Sequence, residues 1–116
     1  MVSVWGLTDK GIVRRENQDS CAYETIPERG LAWGVVCDGM GGANGGKLAA
    51  SLASARFERA LQGALARGEV ADPQNFLQQT IADMNQTVHE QSLKGPEYRG
   101  MGTTAVCALV QRGVAH

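Results

Sequence analysis

Asp19 and Asp38 are the residues whose type and spacing point most directly to chemistry. Between them, Pro27-Glu28-Arg29-Gly30 is a turn signal flanked by two stretches of strand-forming residues. A hairpin centred on Glu28 and Arg29 pairs residues whose numbers share one sum, which sets Ile26 against Leu31 and Asp19 against Asp38. The two carboxylates then face each other at the open end of the hairpin with α-carbons about 5 Å apart, and like charges so placed are destabilising unless something positive lies between them. A hard divalent cation meets that need: Mg2+ and Mn2+ take oxygen ligands, keep several waters and need only one or two carboxylates from any one segment. A one-residue bulge in either strand would spoil the register.

After Asp38 the chain reads Gly39-Met40-Gly41-Gly42, and Gly45-Gly46 opens the next segment. Such a loop lets backbone carbonyls and amides approach a metal or a phosphate without side-chain obstruction. Nucleotide-binding loops fit poorly. Gly41 to Lys47 nearly matches GxxxxGK[ST], but Leu48 stands where Ser or Thr must hold magnesium. A GxGxxG pattern starting at Gly39 would place its third glycine on Asn44, and a strand followed by two helices is the wrong context for either motif.

The elements that must position these residues follow from periodicity. Residues 2–8 and 20–26 are rich in β-branched and aromatic residues, while 31–37 and 103–110 are almost continuously apolar and read as strands buried on both faces. From 46 to about 67, Leu48, Leu52, Ala55, Leu61 and Leu65 recur at helical spacing; from 73 to about 94, Leu77, Ile81, Met84 and Val88 do the same. Asp72 is placed as N-cap with Pro73 at the first helical position, and Gly95-Pro96 supplies the stop. Three strands, two helices, then strands again make an α+β protein with its helices grouped on a sheet face. Gln111-Arg112-Gly113 reads as a hairpin turn and 114–116 as the start of a returning strand, so residues 1–116 form a single domain that is incomplete.

Composition narrows the classes of function. The net charge of −1 comes with scattered Lys and Arg, so no basic patch marks a nucleic-acid or anionic-lipid partner. The longest apolar run, 31–37, is far short of the roughly 20 residues that a membrane-spanning helix needs. The N-terminal residues lack the charged and apolar regions of a signal peptide, which implies a cytoplasmic protein. Cys21, Cys37 and Cys107 are odd in number and far apart, as buried free thiols would be, with no zinc spacing among them.

Three blocks together resemble the metal-dependent protein phosphatases of the PPM, or type 2C, family in its bacterial form. They are TDKGIVRRENQDS from Thr8 to Ser20, CDGMGG from Cys37 to Gly42, and RGMGTTAV from Arg99 to Val106, in family order and with two helices between the second and third. The resemblance implies the N-terminal half of that domain: part of an α-β-β-α sandwich of antiparallel sheets, with an antiparallel helix pair on one face. It makes Asp38 the carboxylate shared by two Mg2+ or Mn2+ ions and the Gly39 carbonyl a ligand to one of them. It places Asp19 in or next to the metal shell and gives Arg14 the substrate phosphate, a role suited to a planar, permanently charged fork. Thr103 and Thr104 are expected to hydrogen-bond locally at the entry of a strand. The implied reaction is hydrolysis of phosphoserine or phosphothreonine in proteins by a water held between the two ions, with no protein nucleophile. The partner is then a phosphorylated protein, the substrate of a Ser/Thr kinase.

Departures from the family pattern bear on the chemistry. Gln18 stands where many members carry Glu, which weakens the case for a direct ligand there, and Met40 replaces a His proposed elsewhere as general acid. Ala43 and Lys47 also differ, with no mechanistic consequence. The family's GDSR block, second Asp-Gly and late Gly-Gly-x-Asp-Asn are missing from the sequence, so the chain supplies only part of the site and is expected to be inactive or very weak alone. An alternative is a non-catalytic phosphatase-like interaction module, or a half-domain that needs a complementary segment. The strand edge at 114–116 is expected to make the chain self-associate.

Overall fold

The computed structural model describes residues 19–41 and 45–116; the strand expected over 2–8 lies outside them. Among the described residues the strands form one antiparallel sheet in the order β1 (Asp19–Ile26), β2 (Leu31–Met40), β3 (Gly102–Gln111) and β4 (Val114–Ala115). Two helices, α1 (Gly45–Ala66) and α2 (Pro73–Ser92), come between β2 and β3. The class is α+β, as expected.

Local chemistry accounts for the connections. Pro27 starts a single 3-10 turn, Pro27–Arg29, and Gly30 closes it at φ 63° with its N–H donating to the Pro27 carbonyl at 3.1 Å. β1 and β2 leave this turn without a bulge, and the register pairs Ile26 with Leu31 and Asp19 with Asp38, as the hairpin predicts. Arg112 and Gly113 both have positive φ, 54° and 77°, which is the primed two-residue turn that matches strand twist between β3 and β4. At α2 the Asp72 carboxylate accepts from the Asn75 N–H at 3.2 Å ahead of Pro73. The helix ends at Ser92, slightly before the expected boundary, and a 3-10 turn over Pro96–Tyr98 leads to β3.

The core lies between one face of the sheet and α1. Leu31, Trp33, Val35 and Cys37 alternate along β2, meet Leu109 of β3, and pack on Ala49, Ala50, Ala53, Phe57 and Leu61. Trp33 and Phe57 touch as tilted rings with centroids 5.8 Å apart. Two expectations need correction here. β2 and β3 are not buried on both faces: the helices lie on one side, and on the other Val36 is 56% and Val106 73% exposed. Helix α1 buries Leu61 and Leu65 as expected, but its first half turns a different stripe inward. Its alanines let the backbone sit close to the sheet, so Leu48 and Leu52 are only half-buried and Ala55 is exposed. On α2, Leu77, Met84 and Val88 are buried as expected but Ile81 is exposed, because α2 packs mainly against α1 and only lightly against β3.

Polar ties lock the layers. Ser20 and Ser54 hydroxyls meet at 2.7 Å between β1 and α1. The Arg29 guanidinium donates to the Leu65 carbonyl at 3.2 Å, satisfying one of the last carbonyls of α1.

Candidate metal centre

β2 runs two residues beyond Asp38, so Asp38-Gly39 sits inside the strand and not in the loop after it. The pairing with β3 explains this: Asp38, Gly39 and Met40 lie opposite Thr104, Thr103 and Gly102. Because side chains alternate, Asp38 points away from the face that carries Cys37, and Asp19 points away from the face on which Ser20 meets α1. Both aspartates therefore lie on the side of the sheet opposite α1, with Thr104 next in the same row. Asp19, Asp38 and Thr104 form one line of oxygen-bearing residues across three strands. The Thr104 hydroxyl donates to the Asp38 carbonyl at 3.4 Å, and the Thr103 hydroxyl donates to the Thr104 carbonyl at 2.8 Å. Thr103 thus makes the local bond expected of it, whereas Thr104 instead ties β3 to the backbone of Asp38.

The next row on that face, Cys21, Val36 and Val106, is apolar. The half-buried carboxylates thus border a row that is apolar but largely open to solvent. The donors available are two carboxylates and hydroxyl oxygens, a hard set that suits Mg2+ or Mn2+. Among the described residues no group of three or more His, Cys, Asp or Glu side chains is arranged to hold a metal, so the set fits a hydrated cation and not a closed cage.

The neighbouring thiols are poor ligands. Burial, with a contribution from Cys107, pushes the Cys37 thiol up from 9.0 to about 11 against the opposing hydrogen bond with Thr103, and burial also raises Cys107. Both stay protonated near neutral pH, whereas metal binding and nucleophilic attack require the thiolate. All three cysteines are free, but Cys21 and Cys107 are only half-buried.

Of the residues expected at the site, Asp19, Asp38 and Gly39 come together at one end of the sheet. Arg14, Gln18 and Ala43 lie outside the described residues. Met40 is 51% exposed at the rim of an open groove of about 660 Å³ between α2 and β3, which Thr103 and His89 also line. Thr104 was legible as a strand residue, but its place beside Asp38 depends on pairing across more than sixty residues, which hairpin counting cannot reach.

Comparison with known proteins bears on the family and the fold. The family profile described as protein phosphatase 2C matches residues 13–116. A serine/threonine phosphatase stp of Listeria monocytogenes serotype 4b is 30% identical over 104 residues, covering 89% of this chain and 40% of that protein. The crystal structure of the serine/threonine phosphatase Stp1 from Staphylococcus aureus superposes with a TM-score of 0.75 at 31% identity, over 91% of this chain and 41% of that one. A crystal structure of a bacterial serine phosphatase gives a TM-score of 0.72 at 30% identity, over 90% and 41%. The chain thus spans about 40% of the length of the curated relatives it matches.

Proposed function

The chain belongs to the protein phosphatase 2C family, and from that premise we propose that it carries part of a two-metal site for hydrolysis of phosphoserine and phosphothreonine in proteins. The observation that carries this reading is the row Asp19, Asp38, Thr104, which sets two carboxylates side by side on the open end of a rigid sheet. Asp38 holds the shared position, Asp19 lies in or beside the metal shell, and the Gly39 carbonyl is the backbone ligand. Arg14 binds the substrate phosphate through its planar fork. Mg2+ or Mn2+ bound there lowers the pKa of a water and neutralises charge on the transferring phosphoryl group. The chain's own part is to hold the carboxylates in register.

The partner class is a phosphorylated protein, the product of a Ser/Thr kinase, met in the cytoplasm. No helix among the described residues is long and apolar enough to cross a membrane. A second reading, a half-domain that works only with a complementary segment, is favoured by one observation: the chain spans about 40% of the length of the curated relatives it matches.

Calorimetric titration of the chain with Mn2+ tests the assignment. Binding in the parent that is lost in Asp38→Ala and weakened in Asp19→Ala is the expected result. Equal binding by Asp38→Ala removes Asp38 from the site.

A further inference from the structure

The exit of β2, the start of α1 and the entry to β3 converge on one residue outside the carboxylate row. A Cβ placed on Gly41 would come within 3.0 Å of Met101 Cα and 3.4 Å of Met101 Cβ, and 3.3 Å from the Gly46 nitrogen. A Cβ on Gly45 would stand 3.2 Å from Met101 Cβ. Gly41 also sits at φ 136°, where residues with a Cβ rarely go. The glycines here allow two stretches of backbone to close directly onto Met101.

Met101 is held firmly enough to serve as that surface. Its side chain is 8% exposed in the core cluster with Ala53, Met84 and Val88, and its N–H donates to the Tyr98 carbonyl at 3.2 Å. An unbranched thioether suits such an irregular gap between two helices and a sheet end. The next residue, Gly102, pairs with Met40, and Thr103 and Thr104 pair with Gly39 and Asp38.

From this geometry we infer that Met101 is a positioning residue for the metal centre: anchored in the core by its side chain, it fixes through Gly41 and Gly45 where the chain turns after Asp38-Gly39. The inference rests on the metal reading of Asp38 given above. Its physical content is that misplacing a ligand by about 1 Å costs on the order of 100-fold in rate, so a ligand at a strand end needs a fixed stop beyond it.

Two measurements on the chain test it. The first is amide hydrogen exchange without metal, in the parent, Met101→Leu and Met101→Ala. Met101→Ala is expected to speed exchange at residues 39–41 and 47–50 by about tenfold more than at Phe57 and Leu109, while Met101→Leu, which keeps the volume, stays near the parent. Exchange raised evenly across the core, or unchanged at 39–41, overturns the inference. The second is Mn2+ affinity of Gly45→Ala, which leaves the Met101 side chain in the core. Gly45 is the first residue of α1, and a methyl there that did not disturb the stop beyond Asp38-Gly39 would leave Mn2+ binding unchanged. A loss of about tenfold in Mn2+ affinity, in a chain that still unfolds cooperatively, is expected here, because the added methyl must push against Met101. Undiminished affinity in Gly45→Ala overturns the inference. Absence of Mn2+ binding in the parent overturns the metal reading and the positioning role with it, and is told apart by the local loosening in Met101→Ala, which is read without metal.

Discussion

Gln111 holds the peptide of Val70 with both ends of its side-chain amide. The Val70 N–H donates to Gln111 Oε1 at 3.0 Å, and Gln111 Nε2 donates to the Val70 carbonyl at 2.9 Å. A side chain thereby replaces a strand neighbour for one residue of the link between α1 and α2. That link is fastened to the far end of β3, opposite Leu31. Both partners are buried, so neither can turn to water for its bonds.

Replacing Gln111 with Leu should therefore cost about 1–3 kcal/mol for each Val70 group left without a partner. Urea unfolding, monitored by Trp33 fluorescence, should show the midpoint fall. Gln111→Glu, which sets a buried carboxylate oxygen against the Val70 carbonyl, should lower it as well. A midpoint unmoved by Gln111→Leu would show that the pair is dispensable.

Asp72→Ala removes the carboxylate that accepts from Asn75 at the start of α2. The expected loss is about 1 kcal/mol, the usual worth of an N-cap, with Asp72→Ser recovering most of it. Because α2 packs mostly on α1, the effect should appear in global stability and leave Mn2+ binding unchanged.

Cys37 provides a pH test whose sign follows from burial. Its thiol titrates at about 11 in the folded chain against 9.0 as the ordinary value. Between those values the unfolded chain releases a proton that the folded chain keeps, so the stability this group contributes is complete below pH 9 and is lost as pH rises through about 11. Comparing urea midpoints of the parent and Cys37→Ala from pH 8 to 11 should show a shallower alkaline decline in the variant. Parallel declines would mean that the thiol is not the titrating group.

The isolated chain should turn over an aryl phosphate or a phosphothreonine peptide feebly or not at all, even with millimolar Mn2+. In-line hydrolysis needs two ions about 3.5–4 Å apart, held by ligands from several segments, and the described residues supply no three-ligand group. Robust turnover by this chain that disappears in Asp38→Ala would overturn the half-site reading.

Self-association is the last expectation. β4 pairs only with Val110 and Gln111, leaving the outer edge of β3 beyond Leu109 without a strand partner among the described residues, while Val36 and Val106 are exposed on the adjacent open face. Light scattering at micromolar concentration should give a mass above 12.3 kDa. A monodisperse monomer would remove the expectation.

What the amino-acid sequence determined by itself is local. Pro27 to Gly30 defines a turn, the turn sets one register, and the register alone brings Asp19 against Asp38; Asp72-Pro73 and Arg112-Gly113 likewise carry their own geometry in dihedral preference and capping. The three blocks made the family legible because each is a short run that can be read in the sequence itself. Tertiary structure alone decided the rest. An apolar run does not say which of its faces will be covered, so Val36 and Val106 were read as core and are exposed. Helical spacing does not say how near a helix may lie to its sheet, which is why alanines are fully buried in the contact while Leu48 and Leu52 pack against it only half-buried. Thr104 beside Asp38, Gln111 on Val70 and Met101 against Gly41 each join residues more than forty positions apart or from three elements at once. Such contacts become defined only when the sheet and helices have docked, because their energy depends on burial and distance, which no local preference encodes.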